Sequence, residues 1–514
     1  MFPDGGLSVV ALLYALWAAQ GDTRRQTPPS LADGVRLIEA GRLAEARADI
    51  DAALQRDPDS PQAHYLLGLL SEHTRDLSAA ADAYARAIQE SPRFAVAHDR
   101  LGFVRGQLGE TEAALGHFAK AVALDPELFD AQYHLGATLW WTRRVDEART
   151  PLEAAVRLRP RHADARYYLG VVLRQLANLP NAVEQLRKAI ELNPRLAPAH
   201  LQLGIALQRW GDTHGAVEAL KTAVELDPSS VDARGSLGLA LMQAGQADAA
   251  VETFRQLVRD HPDDLTARLN LGTSLLQKAD LQAAVGVFRE LLARDSRHAM
   301  ARYNLGMALK QQDNFAEAEA ELRRAIEFDP ALPDASFTLG VVLWQTGHAS
   351  EAAAAFRDAI TKKSDYADAH YMLGTVLKQQ GELDAALAEF KRTIELQPAS
   401  AEAYISLGQT LQQQGNGDAA AAAFEQARAL NQRKADAQAS TFAVSVGNRL
   451  LKGGDVAGAI AQYREAVKLA ADNPQAHYQL AAALARRGAR QEAQREFEEA
   501  RRLAPYLRPP AGIR

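Results

Sequence analysis

Glycine recurs at every 34th position through most of this 514-residue chain. Twelve glycines in succession keep that spacing, from Gly34 to Gly408, and after a slip of five residues the register resumes at Gly447. Ala481 takes the place of glycine one period later. Because a fixed period of about 20–50 residues is the signature of a repeat architecture, the chain is predicted to be a stack of similar small units.

Each unit carries further landmarks. An alanine lies twelve residues after every one of these fourteen points, a large apolar residue lies four residues further on, and proline closes most units. Proline is tolerated at the ends of a helix but not inside it, so each unit is predicted to be two helices that stack on the next pair. The glycine and alanine allow two helices to cross closely. The large residue is expected to fill the groove between neighbouring units.

These landmarks resemble those of the tetratricopeptide repeat (TPR) family. The 34-residue period, the Leu-Gly pair, the alanine of the second helix, the aromatic residue after it and the closing proline all match, over residues 27–507 or nearly the whole chain. The resemblance implies an all-α, right-handed superhelical solenoid of about 14 helix-turn-helix repeats. It also implies that the first helix of each repeat lines a concave surface on which partners bind.

The slip of five residues divides the predicted solenoid. Repeats 1–12 are expected over 27–432, a register break or kink over 433–439, repeats 13–14 over 440–507 and a loose tail over 508–514.

The N-terminus differs in composition from the repeats. Residues 1–22 contain an apolar run, Leu7 to Ala19, that is too short to span a bilayer but long enough for a signal-peptide core. Residues 23–30 form a predicted linker. No Lys or Arg precedes the run, so two interpretations stand: an exported, periplasmic or membrane-tethered protein, or a cytoplasmic protein with a mis-assigned start. The absence of cysteine is compatible with either compartment.

A row of glutamines is the candidate binding site. When each unit is numbered with its glycine as position 8, positions 2, 5, 6, 9, 12 and 13 of the first helix point away from the packed face. Position 13 is glutamine in eight units, and asparagine or aromatic residues occupy several of the other positions. The predicted groove residues are Gln175, Gln243, Gln277, Gln311, Gln345, Gln379, Gln413, Asn270, Asn304, Tyr303, Tyr371, Trp140 and Trp344.

A primary amide offers two donors and an acceptor without charge, so a regular row of amides could bond the backbone of an extended peptide. Aromatic residues beside the row would supply anchoring area. The alternative is that glutamine is only a soluble helix former on a solvated face. The row resembles the asparagine ladder of protein O-GlcNAc transferases, although glutamine predominates here. The lysine and asparagine clamp of chaperone-tail binders is not found, which disfavours a C-terminal carboxylate as the ligand.

No catalytic or cofactor motif is found. The sequence has no GxxxxGK[ST] loop, GxSxG elbow or HExxH pair. Five histidines share position 4 on the packed face, where core contacts are favoured over a metal site because no carboxylates stand at ligand spacing. These are His64, His98, His200, His370 and His477. A net charge of −6 gives no reason to expect nucleic acid as a partner.

The sequence therefore predicts a non-enzymatic protein–protein interaction scaffold, without cofactor or metal, that binds extended or helical partner segments. The alternative is a targeting or assembly subunit of an enzyme complex, such as a glycosyltransferase or cell-envelope machinery, with catalysis on another chain.

Overall fold

Helical hairpins follow one another through the described chain. In the computed structural model, residues 29–513 are described, and they contain 27 α-helices and no β-strand. The chain divides into two compact units: residues up to Trp210 with Glu218–Pro228, and Gly211–Val217 with residues from Ser229 onward. The helices numbered α1 to α12 are Pro29–Glu39, Leu43–Arg56, Pro61–His73, Leu77–Glu90, Ala95–Gln107, Thr111–Leu124, Phe129–Trp141, Val145–Leu158, Ala163–Gln175, Leu179–Leu192, Ala197–Trp210 and Thr213–Leu226.

The remaining helices belong to the second unit. Helices α13 to α27 are Val231–Gln243, Ala247–Asp260, Leu265–Gln277, Leu281–Arg294, Ala299–Gln311, Phe315–Phe328, Pro333–Gln345, Ala349–Lys362, Ala367–Gln379, Leu383–Leu396, Ala401–Gln413, Gly417–Lys452, Val456–Leu469, Pro474–Arg487 and Arg490–Leu503. Helices alternate between the first and second positions of a hairpin. The repeated hairpin confirms the predicted all-α solenoid of the TPR type.

Local signals set where these helices begin and end. Ser60 and Asp264, each just before a first helix, accept a hydrogen bond from a backbone N–H of the first turn. Between the two helices of a hairpin the chain passes through a left-handed residue, for which glycine is favoured; Gly347 has φ +85°. Where both signals are present, they confine a helix to three or four turns.

Close packing within each hairpin centres on the recurring glycine. A Cβ added at Gly340 would lie 2.6 Å from Cε1 of Phe356, the large residue of the second helix in the same repeat. The equivalent glycines from Gly68 onward face their own large residue in the same way, for example Gly136 against Leu152 in the first unit, whereas Gly34 faces Leu66 of the next repeat. This corrects the expectation that the large residue fills only the groove between repeats: it lies across the glycine of its own hairpin.

The first helices of most repeats form a layer in each compact unit. Besides its second helix, a first helix in most repeats contacts the first helix of the next repeat, as α7 does with α9 and α15 with α17. Successive second helices share no comparable contact within the described residues. The first helices are therefore the more closely spaced layer, and their free face is the shared surface of successive repeats.

A single long helix covers the slip in the repeat. Helix α24 runs for 36 residues and joins the second helix of repeat 12 to the first helix of repeat 13, so the predicted break at 433–439 is helical. The physical reason lies in the sequence, because residues 428–446 contain neither proline nor glycine and are rich in good helix formers.

The end of the chain also differs from the expectation. The predicted loose tail, 508–514, is described up to Ile513. Pro510 is buried, Ile513 packs on the core of the last two repeats, and a Cβ on Gly512 would lie 3.6 Å from Cβ of Ala485. The tail is ordered because these apolar groups are removed from water.

The predicted signal segment, residues 1–22, lies outside the described residues, as does most of the linker 23–30; helix α1 begins at Pro29. Among the described helices, none combines the length and apolar character needed to cross a bilayer.

Candidate partner-binding site

The glutamines of position 13 lie at the last residue of their first helices. All eight are exposed, and six of them make no side-chain hydrogen bond within residues 29–513. These six are Gln107, Gln175, Gln243, Gln311, Gln345 and Gln413. No neighbouring helix covers the row in the described chain, so these amides are available to a ligand.

Adjacent repeats are bridged along this row. Gln277 donates from Nε2 to the carbonyl oxygen of Met242 at 2.7 Å, and Trp344 donates from Nε1 to Oε1 of Gln379 at 3.2 Å. In each hydrogen bond the two residues are 35 positions apart in sequence and belong to adjacent repeats. The last carbonyls of a helix have no partner within that helix, so Gln277 also has a structural role.

The two predicted asparagines differ in accessibility. Asn270 is half-buried, and its amide makes no hydrogen bond within the described part of the chain. Asn304 is only 9% exposed, and its amide nitrogen lies 3.4 Å from Oγ1 of Thr273 on the preceding first helix. The structure therefore leaves Asn270 open to a ligand and uses Asn304 in packing.

The tyrosines of position 5 serve mainly to pack one repeat on the next. Tyr371 is half-buried, its ring centroid lies 5.9 Å from that of Phe390, and its hydroxyl lies 3.3 Å from Oγ of Ser406 in the following repeat. The Tyr303 hydroxyl bonds to Thr338 in the same manner, and burial raises the pKa of this phenol. Only the outer edges of these rings remain for a ligand.

The tryptophans of position 12 are more accessible. Trp344 is 36% exposed and is held by its bond to Gln379. Trp140 is half-buried, with its ring centroid 5.3 Å from that of Tyr168. Both side chains offer an apolar ring beside position 13, which is where an anchoring contact is needed.

The polar residues of position 4 have a role that the sequence analysis missed. In nine repeats this side chain donates to the backbone carbonyl six residues earlier, at the junction between repeats. The donors are His64, His98, Gln132, Arg166, His200, Arg268, Arg302, His370 and His477. The five histidines therefore form hydrogen bonds at the junctions between repeats, in addition to packing in the core. Their signal was present in the sequence, because position 4 carries a long polar side chain in nearly every repeat.

Two of these histidines also meet a carboxylate. Nδ1 of His370 lies 2.6 Å from Oε2 of Glu389, and Nδ1 of His477 lies 2.6 Å from Oε2 of Glu496. The sequence analysis saw no carboxylates at these histidines because the partners lie on the second helix. Each contact is a hydrogen bond between the two helices of one hairpin, and no group of three or more potential metal ligands is found in the described chain.

The stability of the last repeat is predicted to depend on the charge of His477. Its Nε2 faces the carbonyl of Ala471 and its Nδ1 faces Glu496, so only the imidazolium donates to both acceptors. The bond to Glu496 raises the pKa of His477 above its ordinary value of 6.5, against the opposing effect of burial. The contribution is therefore complete below about pH 6.5 and is lost as the pH rises through the folded-state pKa.

An NMR titration of His477, with melting curves of the wild type and His477→Gln across pH 5.5–9, checks this prediction. We expect a folded-state pKa above that of a model imidazole, and a gap in stability between the two proteins that narrows as the pH rises. A titration midpoint at or below the ordinary value would contradict it.

His98 and His117 are expected to show the opposite pH dependence to His477. Their Nδ1 atoms are 3.2 Å apart and Nε2 of His98 donates to Pro92, so the neutral rings fit this arrangement. Burial lowers the pKa of both histidines, and in His117 the neighbouring His98 adds to the effect. Their contribution should be present above about pH 6.5 and fall as the pH drops.

A hairpin that recurs every 34 residues, with a glycine-based crossing and a free first-helix face, defines a tetratricopeptide-type repeat protein. The tetratricopeptide repeat profile matches residues 31–93, 139–197, 201–265, 236–296, 269–333 and 337–401. Two related profiles match 400–435 and 447–488. These matches cover more than half of the chain, which therefore belongs to the tetratricopeptide repeat family.

Curated proteins give no significant sequence match. Among solved structures, YrrB, described as a TPR protein with an unusual peptide-binding site, is 28% identical over 36% of this chain and 96% of its own, with a TM-score of 0.34. MamA is 27% identical over 32% of this chain and 96% of its own (TM-score 0.31), and yeast Tom70 is 14% identical over 78% and 96% (TM-score 0.41). At these TM-scores the likenesses carry no argument about function.

Proposed function

We propose that this protein is a non-enzymatic interaction scaffold that binds extended segments of other proteins on the free face of its first helices. The observation that carries the proposal is the row of exposed position-13 glutamines, six of which have unused amides within the described residues. Amides that were buried, or already hydrogen-bonded within the protein, could not bind a ligand.

The chemistry of the row suits a peptide backbone. Each amide can donate to a backbone carbonyl and accept from a backbone N–H, so the row recognises main chain rather than a particular side chain. Because the repeats hold the glutamines in place, most of the ordering cost on binding falls on the partner. Trp344, beside Gln379, supplies an apolar contact next to the amides.

The likeness to the asparagine ladder of O-GlcNAc transferases is limited to the general arrangement. Here the amides are mainly glutamines at the ends of the first helices, and Asn304 is taken up by packing. The proposal therefore rests on the glutamine row and on the tryptophans.

The test is to replace Gln277, Gln311, Gln345 and Gln379 together by alanine and to identify crosslinked partner segments in cells. We expect partner capture to fall severalfold, since each lost bond contributes about 0.5–1.5 kcal/mol. The melting temperature should fall only slightly, because all four side chains are exposed and only Gln277 and Gln379 lose a hydrogen bond to a neighbouring repeat. Alanine is also a good helix former, so the helix ends should persist.

A matched control replaces four exposed glutamines of second helices by alanine, namely Gln256, Gln282, Gln426 and Gln491. This control should capture partners as the wild type does. Unchanged capture by the position-13 variant, or an equal loss in the control, would refute the glutamine row as the binding element. Capture of one enzyme chain alone would favour the targeting-subunit alternative, whereas several unrelated clients would favour a general scaffold.

A further inference from the structure

Two arginines meet at the ends of first helices in the first compact unit. Arg174 lies in the last turn of α9 and Arg209 in the last turn of α11. Nη1 of Arg209 lies 3.4 Å from the carbonyl oxygen of Arg174. The two cationic side chains therefore occupy neighbouring places along positions 12 and 13, in the same row as the glutamines.

Neither arginine forms an ion pair within the described residues. Arg268, which is more deeply buried, is paired through Nη1, which lies 2.8 Å from Glu290. Nε of Arg174 is buried with no hydrogen-bond partner, and no carboxylate pairs with its guanidinium within the described residues. Burial lowers the pKa of Arg174, and the neighbouring charge of Arg209 lowers it further. A half-buried guanidinium without an anion carries a desolvation cost that an incoming carboxylate would offset.

A cluster of aromatic rings on α7 and α9 includes one exposed tryptophan, in the repeat before that of Arg174. Trp141, the last residue of α7, is 71% exposed, and its ring centroid is 6.5 Å from that of Trp140. Trp140 packs on Tyr168 of α9, whose ring centroid is 5.1 Å from that of Tyr167. Burial raises the pKa of the Tyr167 phenol to about 12, and the nearby charge of Arg174 opposes that rise. An exposed tryptophan is costly to leave in water, and tryptophan and arginine are the residue types that dominate binding energy at interfaces.

We propose that Trp140, Trp141, Arg174 and Arg209, called here the arginine–tryptophan surface, bind a partner protein segment that carries a carboxylate beside a large apolar side chain. The inference rests on the proposed function of the first-helix face and specifies the chemistry of the partner in the first compact unit. The carboxylate pairs with the two guanidinium groups, and the apolar side chain packs on the tryptophans.

Nucleic acid is the less favoured occupant of this surface. Affinity for a phosphate backbone grows with the number of phosphates that are neutralised, and it usually depends on several cations along a strand. Here two cations stand together among uncharged amides, in a chain of net charge −6. Two adjacent cations suit one or two carboxylates.

The experiment uses the full chain and two fluorescently labelled ten-residue peptides. One alternates phenylalanine with glutamate, and the other has glutamine in place of each glutamate. Anisotropy titrations should show that the glutamate peptide binds at least about tenfold more tightly than the glutamine peptide. The reason is that a hydrogen bond between a guanidinium and a carboxylate is stronger than one to a neutral amide. The difference should shrink at high salt.

The double variant Arg174→Gln with Arg209→Gln should lose this preference, and its matched control, Arg157→Gln with Arg195→Gln, should keep it. The control arginines are exposed and lie on second helix α8 and in the junction before α11. Trp141→Ala should weaken both peptides by a similar factor. The exposed Arg209→Gln change alone, which leaves the buried stem of Arg174 intact, should reduce the preference and provides a second test if the double variant folds poorly.

Equal affinity of the wild type for the two peptides, or an equal loss of preference in the control pair, would overturn the proposal. Tighter binding of a ten-nucleotide single strand than of the glutamate peptide, lost in the Arg174/Arg209 variant, would overturn it in favour of nucleic acid. This outcome can be separated from that of the proposed function. The four glutamines replaced in that test, Gln277, Gln311, Gln345 and Gln379, all belong to the second compact unit, so that variant leaves the arginine–tryptophan surface unchanged.

Discussion

Replacing Phe356 by alanine is expected to destabilise the second compact unit by about 3–5 kcal/mol. The ring is fully buried, lies across Gly340 of its own hairpin and belongs to the core formed by repeats 7 to 11. Its removal leaves a cavity that two packed helices cannot close without moving apart. Urea unfolding followed by circular dichroism, together with amide hydrogen exchange, would measure the effect, since long repeat arrays can unfold in parts.

Phe442→Ala is the matched control. This phenylalanine lies in the same compact unit but is 67% exposed on α24, so its truncation should change the free energy of unfolding by no more than about 0.5 kcal/mol. Similar losses in the two variants would show that the large residue of the second helix does not hold the hairpin together.

Gly340→Ala is expected to cost about 1–3 kcal/mol, although alanine is ordinarily the better helix former. The new Cβ would lie 2.6 Å from Cε1 of Phe356, closer than side-chain atoms normally approach, so α19 and α20 must separate or the ring must shift. The last repeat indicates how such a shift is tolerated. There alanine is native at this position, as Ala481, and the facing Phe497 is 5% exposed instead of fully buried.

The control is Gly286→Ala in α16, where an added Cβ would meet nothing within 4 Å. This change should stabilise the protein by about 0.5–1 kcal/mol, because a helical glycine loses more backbone entropy on folding than alanine does. The same unfolding and exchange measurements apply to both glycines. We expect the two substitutions to change the free energy of unfolding in opposite directions. Stabilisation by both of them would contradict the close helix crossing at Gly340.

The repeat itself could be predicted from sequence because its determinants are local and periodic. Spacing identified the glycine of the first helix, the alanine and the large residue of the second, and the helical face that stays free. The exposure of the position-13 glutamines follows from the same helical geometry. A side chain at the last residue of a first helix, on the face away from its partner helix, has no neighbouring helix to cover it.

The features that could not be predicted depend on pairs of residues far apart in the chain. Glu496 lies 19 residues beyond His477, and nothing in the local pattern identifies it as the partner. Likewise, the free charge of Arg174 is evident only because no carboxylate of the surrounding helices reaches it, within the part of the chain that the structure describes.

Sequence alone therefore determined the class of fold and the candidate row, since a helical period places equivalent side chains on the same face of every repeat. Tertiary structure decided which members of that row are free, which are used in packing, and where charge is left unpaired. The physical reason is that burial and hydrogen bonding are properties of the space between helices, and that space is shaped by side chains from several repeats at once.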